Sequence, residues 1–256
     1  MLSPLAMTVW MLPVVRLCLC LAIFASIAVP RPVRAQDEFE IQVYDVETAP
    51  EGEPGIELHL NQHLIRMEPD ATHLTFEPHY GLRDWAELGG YFQTSLTSTG
   101  ELAYAGAKLR TKLRAPHRLW DDRVGLAINF EISDVPRQFE PNQWGSEIRP
   151  IAELRSGPLY ASVNPIVAMD LAGALAGHPQ LEPAAKLAYV ASDTAMVGIE
   201  AYAAFGPVDA LGDGSIDRGF ITLDVHGRRW DLNVGIGASH GSQDHPIGKL
   251  IVGIHP

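Results

Sequence analysis

Along most of this chain apolar and polar residues alternate with a period of two. The pattern is plainest from Gln143 to Met169, QWGSEIRPIAELRSGPLYASVNPIVAM. Trp144, Ser146, Ile148, Pro150, Ala152 and Leu154 share one parity, and Gly145, Glu147, Arg149, Ile151, Glu153 and Arg155 share the other. Successive side chains of a strand point to opposite faces, so one face here is mostly apolar and the other carries four charges. Ser156-Gly157-Pro158 then turns the chain into a second arm, where Leu159, Ala161, Val163, Pro165, Val167 and Met169 oppose Tyr160, Ser162 and Asn164. The two arms read as an antiparallel hairpin. A soluble β-sandwich uses the same alternation. Repetition, arm length and loop length therefore have to decide.

From Gly55 onward the pattern recurs at 55–64, 72–80, 85–96, 102–113, 123–133, 144–155, 159–169, 181–190, 194–205, 218–226, 230–238 and 247–254, twelve arms in all. Connections at 81–84, 156–158, 191–193 and 226–229 are short, with 114–122 the exception. Those at 134–143, 170–180, 206–217 and 239–246 are longer and rich in Gly, Pro and Asp. Short turns at one end, long loops at the other and an even strand number are the pattern of an outer-membrane barrel. In lipid every backbone donor and acceptor must pair within the protein, which only a closed barrel achieves with strands. The fold class predicted is all-β, a closed antiparallel transmembrane β-barrel of about 12 strands with both termini at the short-turn, periplasmic end. The alternative is a soluble periplasmic sandwich or lipocalin-like barrel. Against it, twelve strands enclose more room than the alanine-rich arms at 102–113 and 194–205 could fill.

The N-terminus carries Arg16, an uncharged apolar run LCLCLAIFASIAV, and Val33-Arg34-Ala35, which reads as a signal peptide over 1–35. Residues 36–54 follow as a periplasmic N-terminal segment, leaving open whether it plugs the barrel, and 55–256 form the barrel. Both cysteines, Cys18 and Cys20, fall in the signal, so the mature chain has neither a disulfide nor a cysteine metal site. The signal holds three arginines and no acid, and its removal takes the formal charge from −12 to −15. So acidic an exported chain is unsuited to nucleic acid. The partners expected are outer-membrane lipid, the barrel-assembly machinery and a small-molecule solute.

The inward face mixes signs on neighbouring arms. Lys108, Arg110, Lys112, Glu131, Glu147, Arg149, Glu153, Arg155, Glu182, Lys186 and Glu200 are the lumen-lining and selectivity candidates, joined by Glu57, Glu77, Glu87, Asp224 and Asp231. Trp85, Tyr91, Trp120, Trp144, Tyr189 and Trp230 lie mostly near arm ends, as interfacial girdles do. No cofactor and no metal is expected. His59 and His63 are about 13 Å apart along one strand, too far for one ion, and pairing either with His79 depends on register. The acidic loop from Asp209 to Asp217 lacks the closing Glu of a calcium loop. His240-Gly241-Ser242-Gln243 resembles the His-x-Ser-Asn arrangement of the twelve-stranded outer-membrane phospholipase, but nothing supplies its third group. The chain is accordingly read as no enzyme.

WGSEIRPI at 144–151, NPI at 164–166, LEPAAKLAY at 181–189, GIEAYAAFGPV at 198–208 and DLNVGIG at 231–237 resemble blocks of an uncharacterised bacterial outer-membrane barrel family, similar to the putative transporters of the meta-pathway of phenol degradation. That resemblance covers 39–254 and implies a barrel passing small, aromatic or apolar, molecules. It also implies a terminal aromatic residue, where this chain ends Gly253-Ile254-His255-Pro256. The expected function is a porin-like channel or passive transporter in a Gram-negative outer membrane. The alternative is a filled structural or adhesive barrel.

Overall fold

The structure is a computed structural model describing residues 38–64, 70–97, 100–140, 142–173, 176–211, 215–239 and 246–256. The expected signal peptide lies outside these residues, as do His240, Ser242 and residues 212–214 of the acidic loop. Each alternating arm of the sequence forms a strand. In chain order they are β1 (Pro54–His63), β2 (Asp70–Arg83), β3 (Ala86–Thr97), β4 (Leu102–Arg114), β5 (Val124–Asp134), β6 (Trp144–Ser156), β7 (Leu159–Asn164), β8 (Ala184–Ser192), β9 (Ala195–Ala204), β10 (Ser215–His226), β11 (Trp230–Ser239) and β12 (Pro246–Ile254). Each pairs antiparallel with its sequence neighbours. β12 returns to β1 in a register running from Ile254 opposite Ile56 to Ile247 opposite His63, and this closes the ring.

Prolines mark where the ladder is interrupted, because proline has no donor to give. Beyond Pro165, β7 resumes as Val167–Asp170, and ahead of Pro183, β8 begins as Gln180–Leu181. The Glu182 amide donates to the Ile166 carbonyl at 2.9 Å across that break, so the wall stays continuous.

Polarity is inverted relative to a soluble barrel. Leu126, Phe130, Ile148, Leu154, Val163, Ile199 and Ile221 face outward and are exposed, while Arg149, Glu153, Asn129 and Gln93 are buried inside. A soluble sandwich or lipocalin-like barrel would place these two sets the other way round. Among the described residues no helix is long and apolar enough to cross a membrane, which says nothing of strands.

Two expectations need correction. Tyr91 is fully buried and points into the lumen, so it belongs to no girdle, whereas Trp85, Trp120, Tyr189 and Trp230 are exposed at the short-turn end and Trp144 at the long-loop end. Simple alternation along 102–113 would set Tyr104 on the same face as Lys108 and Ala105 outside. A bulge at Gly106, opposite Gln93 and Thr94, shifts the register there, so Ala105 turns in and Tyr104 turns out beside the long-loop rim. An extra residue in one strand exchanges the faces beyond it.

Gly106 adopts φ +141, and a Cβ there would lie 2.9 Å from the Asp134 carbonyl oxygen. Gly106→Ala should lower the unfolding free energy by about 1–3 kcal/mol, the usual cost of a forced backbone. Gly219→Ala, whose Cβ would meet nothing nearer than 3.9 Å, should leave the urea midpoint close to that of the parent chain.

Candidate functional site

The lumen is not empty. Residues 38–53, expected as a periplasmic lead-in, run through the barrel from the long-loop end to the short-turn end before entering β1. At the long-loop end Glu38 lies against His63, His73 and Arg218. At the other end the Gly52 amide donates to the Gly81 carbonyl at 2.8 Å, and the Gly81 amide donates to Glu53 at 3.0 Å. The crossing is close enough that a Cβ on Gly81 would meet the Pro50 carbonyl oxygen at 2.0 Å.

This segment forms no strand, so its backbone groups need other partners. Side chains of the wall supply them. Asn164 accepts from the Tyr44 amide at 2.7 Å and donates to the Tyr44 carbonyl at 3.1 Å, and Ser162 donates to the same carbonyl at 2.6 Å. Thr75 donates to Phe39 O, Asn61 to Glu38 O and Lys249 to Ile41 O, at 3.0, 2.9 and 3.2 Å. Apolar contacts alternate with these. Ile41 and Val43 pack with Ile166, Ala184, Tyr202, Phe220 and Ile247, and Tyr44 and Val46 pack with Ile151.

Charges complete the packing, most densely in the following clusters. Glu40 of the segment pairs with Lys108 at 2.9 Å and Arg149 at 3.1 Å; Lys108 also reaches Glu131, and Arg149 reaches Glu147. Arg110 bridges Glu77 and Glu87 at 2.5 and 2.6 Å, with His59 on the other side of Glu77 at 3.0 Å. Lys186 joins Glu200 and Asp224 at 3.1 and 2.6 Å, and Lys249 also pairs with Glu200. Tyr44 sits between the first two clusters. Its hydroxyl meets Glu40 and Tyr91, and Arg149 stacks 4.1 Å from its ring centroid, a contact favoured by the ring quadrupole.

Glu38 and Glu40 belong to the internal segment rather than to any barrel strand. Burial pushes Glu40 up, but Lys108 and Arg149 outweigh it and hold the carboxyl below the ordinary 4.5. The nearby imidazoles of His63 and His73 likewise hold Glu38 well below the usual carboxylate range.

Beside the segment, toward the short-turn end, lies a cavity of about 420 Å³ lined by Tyr44, Thr48, Glu57, His79, Glu200, Asp224 and Asp231 among others. A second of about 70 Å³ lies between Glu131, Glu147, Arg149 and Glu182. The eleven candidates all fall on the inward parity. Ten are buried or half-buried; Arg155 is exposed at the short-turn mouth, where it holds Glu153 at 2.7 Å and Glu47 at 3.4 Å. Several of them thus contact the internal segment instead of open solvent. Sequence reasoning missed Lys249 and Arg218, both legible as inward by parity. It also missed Glu40 and Tyr44, which carry no signal until the segment is known to enter the ring. The register sets His79 opposite Gly55, apart from His63, and brings His63 to His73 instead.

No protein-family model and no curated protein matches the chain. Among solved structures, an outer membrane channel from Pseudomonas putida F1 superposes with a TM-score of 0.56 at 11% identity, over 85% of this chain and 100% of that one. The fold is that of an outer-membrane barrel. Looser superpositions are found with the translocator domain of the autotransporter NalP from Neisseria meningitidis, at TM-score 0.45 and 11% identity over 82% of this chain and 90% of that one. Outer membrane phospholipase A from Escherichia coli gives 0.45 and 10% over 81% and 94%.

Removing one partner of a buried ion pair costs about 3–5 kcal/mol, because a charge is left without compensation. Arg149→Met should destabilise by that amount in urea unfolding, and adding Glu40→Gln should recover part of the loss. Glu40 is held low, so its contribution is fully present above 4.5 and is lost progressively as pH falls below it. Hydrogen exchange at residues 39–46 should accelerate across that window while the strand amides remain protected.

Proposed function

We propose that the barrel resides in the outer membrane, short-turn end toward the periplasm, and passes small hydrophilic solutes along the side of its internal segment. The observation that carries this reading is an apolar exterior around a charged lumen that retains a cavity of about 420 Å³ beside the segment. Exposed apolar rows of this extent on every strand suit lipid contact, and the girdle aromatics at the rims suit the two interfaces.

The cavity lining holds nine Asp and Glu against four Lys and Arg. A lumen of low dielectric lined by one sign of charge favours the opposite sign in transit. Small cations and neutral polar solutes therefore fit better than the aromatic or apolar molecules that the family resemblance implies. No step of chemistry is needed for such passage.

A second reading also has support. The ion-pair clusters and the segment lying through the whole lumen are what a filled, structural barrel would contain. Planar bilayers separate the two. The mature chain should give small, cation-selective conductance steps, and a chain lacking residues 38–53 should give larger ones. Folded protein that never conducts, with or without the segment, would leave only the structural role, and an anion-selective reversal potential would overturn the cavity as the path.

A further inference from the structure

We propose that Glu38, His63 and His73 form a binding site for a divalent cation of the zinc type, which ties the leading end of the internal segment to the barrel wall. His63 closes β1, and His73 on β2 is opposite Asn61, two residues earlier on the same inward parity. Side chains placed diagonally across a strand pair in this way are within reach of each other. The two imidazoles lie with centroids 6.3 Å apart and planes at 80°. Glu38 approaches both from within the lumen, its Oε2 at 3.3 Å from His73 Nε2 and 3.9 Å from His63 Nε2.

The three ligand atoms all fall within 4.8 Å of one another. Around a tetrahedral zinc ion, with bonds of about 2.0–2.1 Å, ligand atoms stand about 3.3 Å apart. Small rotations of the two rings would close that difference. Two imidazoles and one carboxylate, leaving a fourth position open, are a donor set that zinc and its neighbours accept and that calcium and magnesium do not prefer. Arg218 Nη2 lies 3.5 Å from the other carboxylate oxygen, and Asn61 donates to the Glu38 carbonyl. These contacts orient the carboxylate, as outer partners do in metal centres.

A separate observation points to a ligand. His73 is 3% exposed, yet neither of its ring nitrogens has a well-aligned hydrogen-bond partner among the described residues, and the same holds for Nδ1 of His63. A buried polar atom left unpaired is costly. A cation at Nε2 would use the lone pair that Glu38, itself only an acceptor, leaves unused. The neighbouring set of Glu57, His59 and Glu77 differs, since Arg110 and Gln42 already engage its carboxylates.

The test uses the mature full chain in detergent, stripped with a chelator and titrated with cobalt(II) while visible absorption is followed. One cobalt per barrel is expected, with the intense bands of a low-coordinate ion, displaced by added zinc. His63→Ala combined with His73→Ala should abolish the signal. Glu38→Gln, which lies off the wall and leaves the barrel intact, should weaken it, while the exposed His178→Ala should change nothing. Heat-dependent gel mobility checks that each variant is folded. No cobalt bound by the folded parent would overturn the proposal. So would cobalt binding that survives the double substitution or is unmoved by Glu38→Gln. None of these readouts depends on conductance.

Discussion

Glu40, carried on a stretch that forms no strand, sits between Lys108 and Arg149, and the packing of the lumen follows from that contact. A barrel of inverted polarity turns its charged faces onto one another at close range. Lys108, Arg110, Lys112 and Arg149 converge from β4 and β6, and charges taken out of water must be paired or they oppose folding. The wall alone offers Glu77, Glu87, Glu131 and Glu147. The internal segment brings Glu40 to Lys108 and Arg149 and Asp45 to Lys112, the latter at 3.2 Å, and fills the volume that a ring of twelve strands would leave.

Buried ion pairs add little net stability compared with apolar packing, but breaking one is expensive. Their consequence here is positional. Glu40 fits only where two cations meet, and the Tyr44 backbone fits only where the Asn164 amide and Ser162 hydroxyl imitate a strand partner. Between these anchors Ile41 and Val43, and just beyond them Val46, enter apolar patches of the inner wall. A segment shifted by one residue would place carboxylates against those patches. The polar contacts thus select one register, and the apolar ones supply burial once it is reached.

Much of the fold was legible because strand period and strand face are the same fact: a side chain's parity tells which side of the sheet it occupies. All twelve strands, the inward placement of Arg149, Glu153 and Lys186, and the outward placement of Phe130 and Val163 follow from alternation alone. Alternation failed where the backbone departs from it. At β4 the left-handed φ of Gly106 moved Tyr104 to the outer face. Tyr91 is inward by parity and lies mid-strand, so alternation, not aromatic character, places it in the lumen.

The sequence by itself determined the ring: strand number, inward and outward faces, and the segregation of short turns from long loops, since each depends on residues adjacent in the chain. Only the tertiary structure decided what fills the ring. Residues 39–46 alternate like a barrel arm, but alternation names no partner, and their contacts join positions as far apart as Ile41 and Lys249. Those neighbours exist only after β12 has closed onto β1, so no local pattern could announce them.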